Sequence, residues 1–255
     1  MLKTRVLVWV IAFGVCLCVV DARADMVDLT ASGSGTGTIN GAVFNNVTRT
    51  GSGSGILDSF VRIHSNDPTE QGYNTDHRPL EYDENNSSTF THALSLSAVP
   101  IVDLGGTLYR EFLLDINEDE AKKGEDYLLS LDTIEVYLGG SGGLTGHPTF
   151  GGQATLIYNL IPGSQDNWIL LDASMSTGSG TADMYAYIPN ALFDLPGDFV
   201  YLYSHFGTHV PNSGGFEEWG VEKFQDSPPL VPVPAAAILG MFGLSVAGWR
   251  LRRYA

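Results

Sequence analysis

The side chains in this chain whose spacing could do chemistry are mostly acids. Asp115-Ile116-Asn117-Glu118-Asp119-Glu120 sets oxygen-bearing side chains at alternating positions, with Glu125 and Asp126 further on. A hard cation such as calcium takes about six to eight oxygen ligands, and a turning backbone can aim alternate side chains at one point. Asp115, Asn117 and Asp119 are therefore the candidate metal ligands, and calcium the candidate cofactor. The match to the helix-flanked calcium loop is partial. Glu120 stands where that loop needs glycine, and Asp126 stands where it needs glutamate. The competing reading is an acidic, solvated turn. Asp76, Asp83 and Glu84 form a second, weaker cluster of the same kind.

Enzyme chemistry is less well supported. His205 and His209 have the spacing that puts two imidazoles on one face of a helix, but they follow the strand-like Phe199 to Ser204 and lack the glutamate of a zinc-protease motif. Glu217 and Glu218 could suggest a glycosidase pair, yet neighbouring residues of a strand point to opposite faces and cannot work on one bond. Trp168 and Trp219 are candidates for stacking on sugar rings, with core packing as the competing role. No Gly-x-Ser-x-Gly elbow is present. No catalytic residue is assigned; the leading reading is a non-enzymatic envelope or matrix protein, and the alternative is a carbohydrate-binding or carbohydrate-active domain on the same scaffold.

The termini carry stronger signals. Lys3 and Arg5, an apolar run from Val6 to Val20, and Ala22-Arg23-Ala24 form the three parts of a secretory signal peptide over residues 1–24. Ala22 and Ala24 are the small residues expected to meet signal peptidase, with cleavage after Ala24. Both cysteines, Cys16 and Cys18, lie in this leader, so the exported domain uses no disulfide. At the other end Leu230 to Trp249 is uncharged and just long enough for a transmembrane helix, with Arg250, Arg252 and Arg253 after it. Arginines stay on the cytoplasmic side, so the domain before them is expected to face outward.

The order Val231-Pro232-Val233-Pro234-Ala235, an apolar span containing Gly240, Gly243 and Gly248, and a terminal Arg250-Leu251-Arg252-Arg253 resembles the PEP-CTERM sorting signal, in its VPLPA-type variant. Val233 stands where the parent pattern has glutamate. The resemblance implies that residues 230–255 are recognised in the membrane by an exosortase, and that the bearer is exported by a bacterium making extracellular polysaccharide. Internal stretches such as Glu70 to Asp76, Tyr109 to Glu118, Asp166 to Asp172 and Gly215 to Val221 are similar to segments of secreted proteins bearing that signal. The implied partners are signal peptidase, exosortase, the membrane and extracellular polysaccharide, and the implied location is the cell envelope or beyond. No activity comes with the resemblance.

Between the termini, residues 25–229 are strongly acidic. Of 13 Lys and Arg, six lie in the terminal segments, and of 29 Asp and Glu only Asp21 does, so about −21 charges remain on the domain. Such a surface repels nucleic-acid phosphates and anionic lipid, which excludes nucleic acid as a partner. Short alternating or β-branched runs recur: Ile56 to Ile63, Phe90 to Leu96, Leu108 to Ile116, Leu129 to Leu138, Ala154 to Leu160, Trp168 to Leu171, Met184 to Ile188, Phe199 to Tyr203 and Phe216 to Phe224. Gly, Asn, Asp, Ser and Pro clusters separate them. Ala31 to Gly41 and Thr50 to Gly55 have the composition of a flexible leader, but they flank apolar Val43, Phe44 and Val47, so the competing expectation is an opening β-hairpin; a helical turn is expected near Pro189. With no helical stretch between strands, the expectation is one all-β domain, a β-sandwich of jelly-roll type.

Overall fold

The computed structural model describes residues 25–31, 35–47, 57–118, 127–175 and 182–223. Ala22, Ala24, Asp119, the Thr50 to Gly55 stretch, the Val231 to Ala235 motif, the apolar span to Trp249 and Arg250, Arg252 and Arg253 lie outside the described residues.

The protein is all-β. Its strands are β1 (Met26–Asp28), β2 (Thr36–Ile39), β3 (Ala42–Asn46), β4 (Leu57–Ile63), β5 (Glu70–Tyr73), β6 (Leu94–Ser95), β7 (Ile101–Leu104), β8 (Thr107–Ile116), β9 (Leu128–Gly139), β10 (Ala154–Asn159), β11 (Trp168–Asp172), β12 (Met184–Pro189), β13 (Phe199–Phe206) and β14 (Glu217–Glu222). They form two seven-stranded sheets. The β9 sheet runs β1-β11-β9-β13-β5, with β10 also on β9 and β6 on β13. The β8 sheet runs β2-β3-β12-β8-β14-β4, with β7 also on β8. Apart from the parallel β1–β11 pair, neighbours are antiparallel. All of these strands fall in one compact unit ending at Glu222.

Alternation explains how the sheets meet. Ile134, Val136 and Leu138 of β9 and Val200, Leu202 and Phe206 of β13 face one continuous core, joined by Phe112, Leu114 and Ile116 of β8 and by Trp219 and Val221 of β14. Trp219 is fully buried, and its indole N–H donates across the interface to Ser204 Oγ at 3.0 Å. Among the candidate sugar platforms Trp219 therefore belongs to the core. Burying a side chain of this size ties the β8 sheet to the β9 sheet in the way a sandwich requires.

The expected opening hairpin is present as β2 and β3. Its two-residue turn, Asn40-Gly41, has φ of 51° and 84°, the left-handed pair that matches strand twist and that Asn-Gly adopts most readily. A short 3-10 turn over Asn190–Phe193 follows Pro189, close to the expected helical turn. Phe90 to Leu96 is a correction, since only Leu94 and Ser95 join a sheet. The amides of Phe90 and Thr91 instead close a turn on the Ser87 carbonyl, while His92 bonds the carbonyls of Ser59 and Ala93. Side-chain capture of the backbone here replaces the ladder. Strands β1, β5 and β7 carry little local signal, because β5 is the polar Glu-Gln-Gly-Tyr and β7 is exposed.

Candidate functional site

Beside polar Glu135 and His205, strands β9 and β13 carry Tyr137, Tyr201 and Tyr203 on the face away from the core, and that outer face of the β9 sheet is covered too. The segment from Gly139 to Gln153 folds over it, and Leu144 and Phe150 pack with Tyr73, Tyr137, Tyr201 and Tyr203 in a second cluster. Three polar bonds pin this cover. Tyr201 OH donates to the Ser141 carbonyl and accepts from Leu144 N at 2.9 Å, and Thr75 Oγ1 donates to the Leu144 carbonyl at 2.9 Å.

At the tip of the cover His147 enters an aromatic cage. Its ring stacks on Tyr203 at 3.8 Å and 14°, with Tyr73, Tyr82, Tyr137 and Phe150 around it. Its Nε2 meets Glu135 Oε2 at 2.9 Å, where the Tyr137 hydroxyl also donates, and Asn159 Nδ2 reaches the other oxygen at 3.3 Å. Burial would raise the Glu135 pKa, but the bonds from His147 and Tyr137 win and hold it below the ordinary carboxylate range. Glu81 is held low as well: burial, which raises it, is outweighed by bonds from Tyr73 OH at 2.6 Å and from the Gly146 amide. Both acids are carboxylates at neutral pH. Tyr82 keeps 37 % of its surface in water and closes the cage edge-on against Tyr73 and Tyr203. Around this rim Gln71, Asn159 and His205 are half-buried, and Gln71 accepts from Tyr203 OH at 2.7 Å.

A second focus lies further along the same face. The register between β9 and β13 pairs Phe206 with Leu131 and His205 with Thr133, which leaves Asp132 as the extra residue of a β-bulge. Freed from the ladder, its carboxylate collects donors: Ser130 Oγ at 3.0 Å, Thr208 N at 2.7 Å, His209 N at 3.3 Å and His209 Nδ1 at 2.6 Å. His205 Nδ1 stands 3.9 Å from it. The far side of the His209 ring faces Asp166 at 3.4 Å, and Trp168 stacks flat on it at 4.6 Å. Burial alone would lower the His209 pKa; Asp132 and Asp166 outweigh it and raise it. His205 is pushed down, because its burial outweighs the attraction of Asp132 and Asp83.

These groups resemble a Ser-His-Asp set only in composition. The Ser130 hydroxyl donates to Asp132 and accepts from the amides of His209 and Val210, so it is bonded to the acid and the backbone rather than to the His209 ring. The two histidines turn toward one carboxylate, and among the described residues no three His, Cys, Asp or Glu side chains converge to hold a metal ion.

The other sequence candidates are dispersed. Asp115 is buried on β8 opposite Glu218, and Asn117 donates to the Phe216 carbonyl at 3.2 Å, beyond the strand's end. Their expected partner Asp119 lies outside the described residues. Glu217 and Glu218 do point oppositely. Glu218 faces out and takes a forked bond from Arg62, whose guanidinium lies 3.5 Å from the Phe90 ring centroid and 4.1 Å from that of Phe216. Glu217 shares the inner face with Trp219.

Sequence reading missed His147, Glu135, Glu81 and Asp132. The one available signal was parity: Tyr201, Tyr203 and His205 alternate with Val200, Leu202 and Ser204, so β13 offered an aromatic face away from the core. No family model matches the chain, and no curated protein or solved structure matches it.

Proposed function

We propose that this chain is an exported, non-enzymatic protein of the bacterial envelope or extracellular matrix that associates with exopolysaccharide through the outer face of the β9 sheet. On this reading a removable signal peptide and a membrane-anchoring sorting helix, processed by an exosortase, flank a jelly-roll-like sandwich. The observation that carries the polysaccharide part is the rim around Tyr82. An exposed aromatic ring stands beside two ionised carboxylates and the amides of Gln71 and Asn159. Sugar rings present C–H faces that pack on aromatic rings and hydroxyls that donate to carboxylates and amides, so these groups suit a neutral or cationic saccharide. Glycoside hydrolysis argues less well, because it needs one of two carboxyls protonated while Glu81 and Glu135 are both held ionised.

The test uses the full chain and exopolysaccharide from the producing cells. Tyr82→Ala should abolish co-sedimentation with the polymer while leaving the melting temperature within a few degrees of the parent. Equal retention by the variant overturns the polysaccharide assignment. Separately, replacing Arg250, Arg252 and Arg253 by neutral residues should disrupt envelope sorting, and normal processing of that variant overturns the sorting assignment.

A further inference from the structure

The loop that carries the chain from β13 to β14 crosses between the sheets past several buried acids. Asn212 donates to Glu70 Oε2 at 3.1 Å and to the Ser65 carbonyl, and Ser213 donates through both N and Oγ to Glu118 Oε2. Gly215 packs so tightly that a Cβ would sit 1.4 Å from the Asn117 carbonyl oxygen, and its φ of 116° is one that glycine tolerates. The loop then enters β14 at Glu217, which pairs with Ile63 on one side and Ile116 on the other. Those two isoleucines face the core, and so does Trp219 two residues on, so Glu217 points inward at the end of the sandwich. Glu70 opens β5 opposite Phe206, another core residue, and so points inward from the facing sheet.

Glu217 is fully buried, and neither of its carboxyl oxygens has a hydrogen-bond partner among the described residues; Glu70 Oε1 is in the same position. A buried carboxylate without donors costs several kilocalories, so something must neutralise it. A single proton does this only in part, because it neutralises one carboxyl and leaves the other buried and charged. Among the described residues the arginines are engaged elsewhere. Arg62 is on Glu218 at the outer face, Arg78 bonds the carbonyls of Thr75, His77, Asn86 and Thr91, and Arg110 bonds Asn190 and the carbonyls of Leu96 and Val99. Lys223 follows the opposite end of β14, where Glu222 pairs with Leu57.

We propose that the inner end of the sandwich is a binding site for a hard divalent cation, calcium by its chemistry, with Glu217 and Glu70 as the carboxylate ligands. A divalent ion bonds the three orphan oxygens and offsets both charges at once, which a single proton cannot. Since no three acidic or imidazole groups converge among the described residues, the coordination is completed by neutral oxygens and water, the mixed set that calcium accepts and zinc does not. Asn212 and Ser213 supply such oxygens at the loop, and Glu118 adds negative charge. The ligand set differs from the Asp115, Asn117 and Asp119 expected from the sequence, and its ion would lock the β13–β14 crossover against both sheets.

Terbium, which replaces calcium and emits when a nearby indole is excited, tests this directly on the full chain, with Trp219 as the sensitiser. Saturable emission, competed by calcium and lost in Glu217→Gln, is expected. At pH 8 and fixed ionic strength, calcium at a hundredfold excess over Kd should raise the melting temperature by about 5 to 10 °C in the parent and not in the variant. Glu70→Gln should weaken the same emission and serves if Glu217→Gln does not fold. Absence of sensitised emission overturns the proposal. Emission that survives both substitutions but disappears in Asp115→Asn with Asp119→Asn also overturns it, by moving the ion to the other acidic segment.

Discussion

Asp132 on the outer face of the β9 sheet and Glu217 on the inner face of the β8 sheet are both buried carboxylates close to the course of β13. Asp132 sits on a bulge, where the backbone leaves its ladder, and four donors from Ser130, Thr208 and His209 turn toward it. Glu217 sits in a regular ladder between two isoleucines, where every neighbouring amide is already paired along the sheet, and its oxygens receive no bond among the described residues. Burial alone therefore says little about a carboxylate. What matters is whether the local backbone has donors left to give, which bulges and loops do and ladders do not.

The largest expected effect tests the partnered side. Asp132→Ala leaves the Thr208 amide and the His209 ring Nδ1 without their partner, and should cost about 3 kcal/mol in urea unfolding, as breaking a buried charged network does. A loss under about 1 kcal/mol would show that the bulge holds itself together without its acid.

Glu217→Leu should act in the opposite direction. In metal-free buffer it removes an unpartnered buried carboxyl from between Ile63 and Ile116, and should stabilise the chain by about 2 kcal/mol while erasing any response to calcium. Destabilisation in metal-free buffer would mean that Glu217 has a stabilising partner, and the contrast with Asp132 would fail.

The two regions also differ in pH response. Burial, opposed by the Ser65 amide bond and reinforced by Glu118 and Asp83, raises Glu70 from 4.5 to about 8. The folded state then holds a proton that the unfolded state has lost, so without metal the stability is greatest below about pH 4.5, declines as pH rises to about 8, and is level beyond. Glu135 has the opposite sign. Its depressed folded pKa contributes stability that is present above the ordinary carboxylate range and lost as pH falls through the folded value. His209, raised, contributes stability below its ordinary 6.5 that is lost as pH rises through its folded value. Melting curves of Glu70→Gln should lose the decline between pH 5 and 8, and those of Glu135→Gln should lose part of the acid-side fall.

The smallest effect on stability belongs to Tyr82→Ala. The ring is more than a third exposed and meets Tyr73 and Tyr203 edge-on, so its removal should cost about 0.5 to 1 kcal/mol. A much larger loss would make Tyr82 a structural cap on the His147 cage rather than a surface offered to a ligand.

Alternation is a local property, and it settled most of the architecture. The runs at β4, β8, β9, β10, β11, β12 and β14 are legible because a period of two with branched and aromatic residues needs no knowledge of the partner strand. The same rule placed Glu217 and Glu218 on opposite faces, and the Asn40-Gly41 turn, though not singled out from the sequence, depends only on local backbone preference. Register is different, because it is decided between strands. That Asp132 is a bulge residue follows only from how β9 meets β13, and three of the four donors around it come from positions 208 and 209, far along the chain. His147 gives no local sign of its role, since its cage is assembled from Tyr73, Tyr137 and Tyr203 on three strands. Glu217 lost its access to water only when the β8 sheet closed on the β9 sheet with Trp219 bonded to Ser204. Hydrophobic pattern chose the strands and their faces, because burial free energy is roughly additive along the chain. Only the tertiary structure could decide which acids have donors, because hydrogen bonds depend on atoms brought together from distant positions.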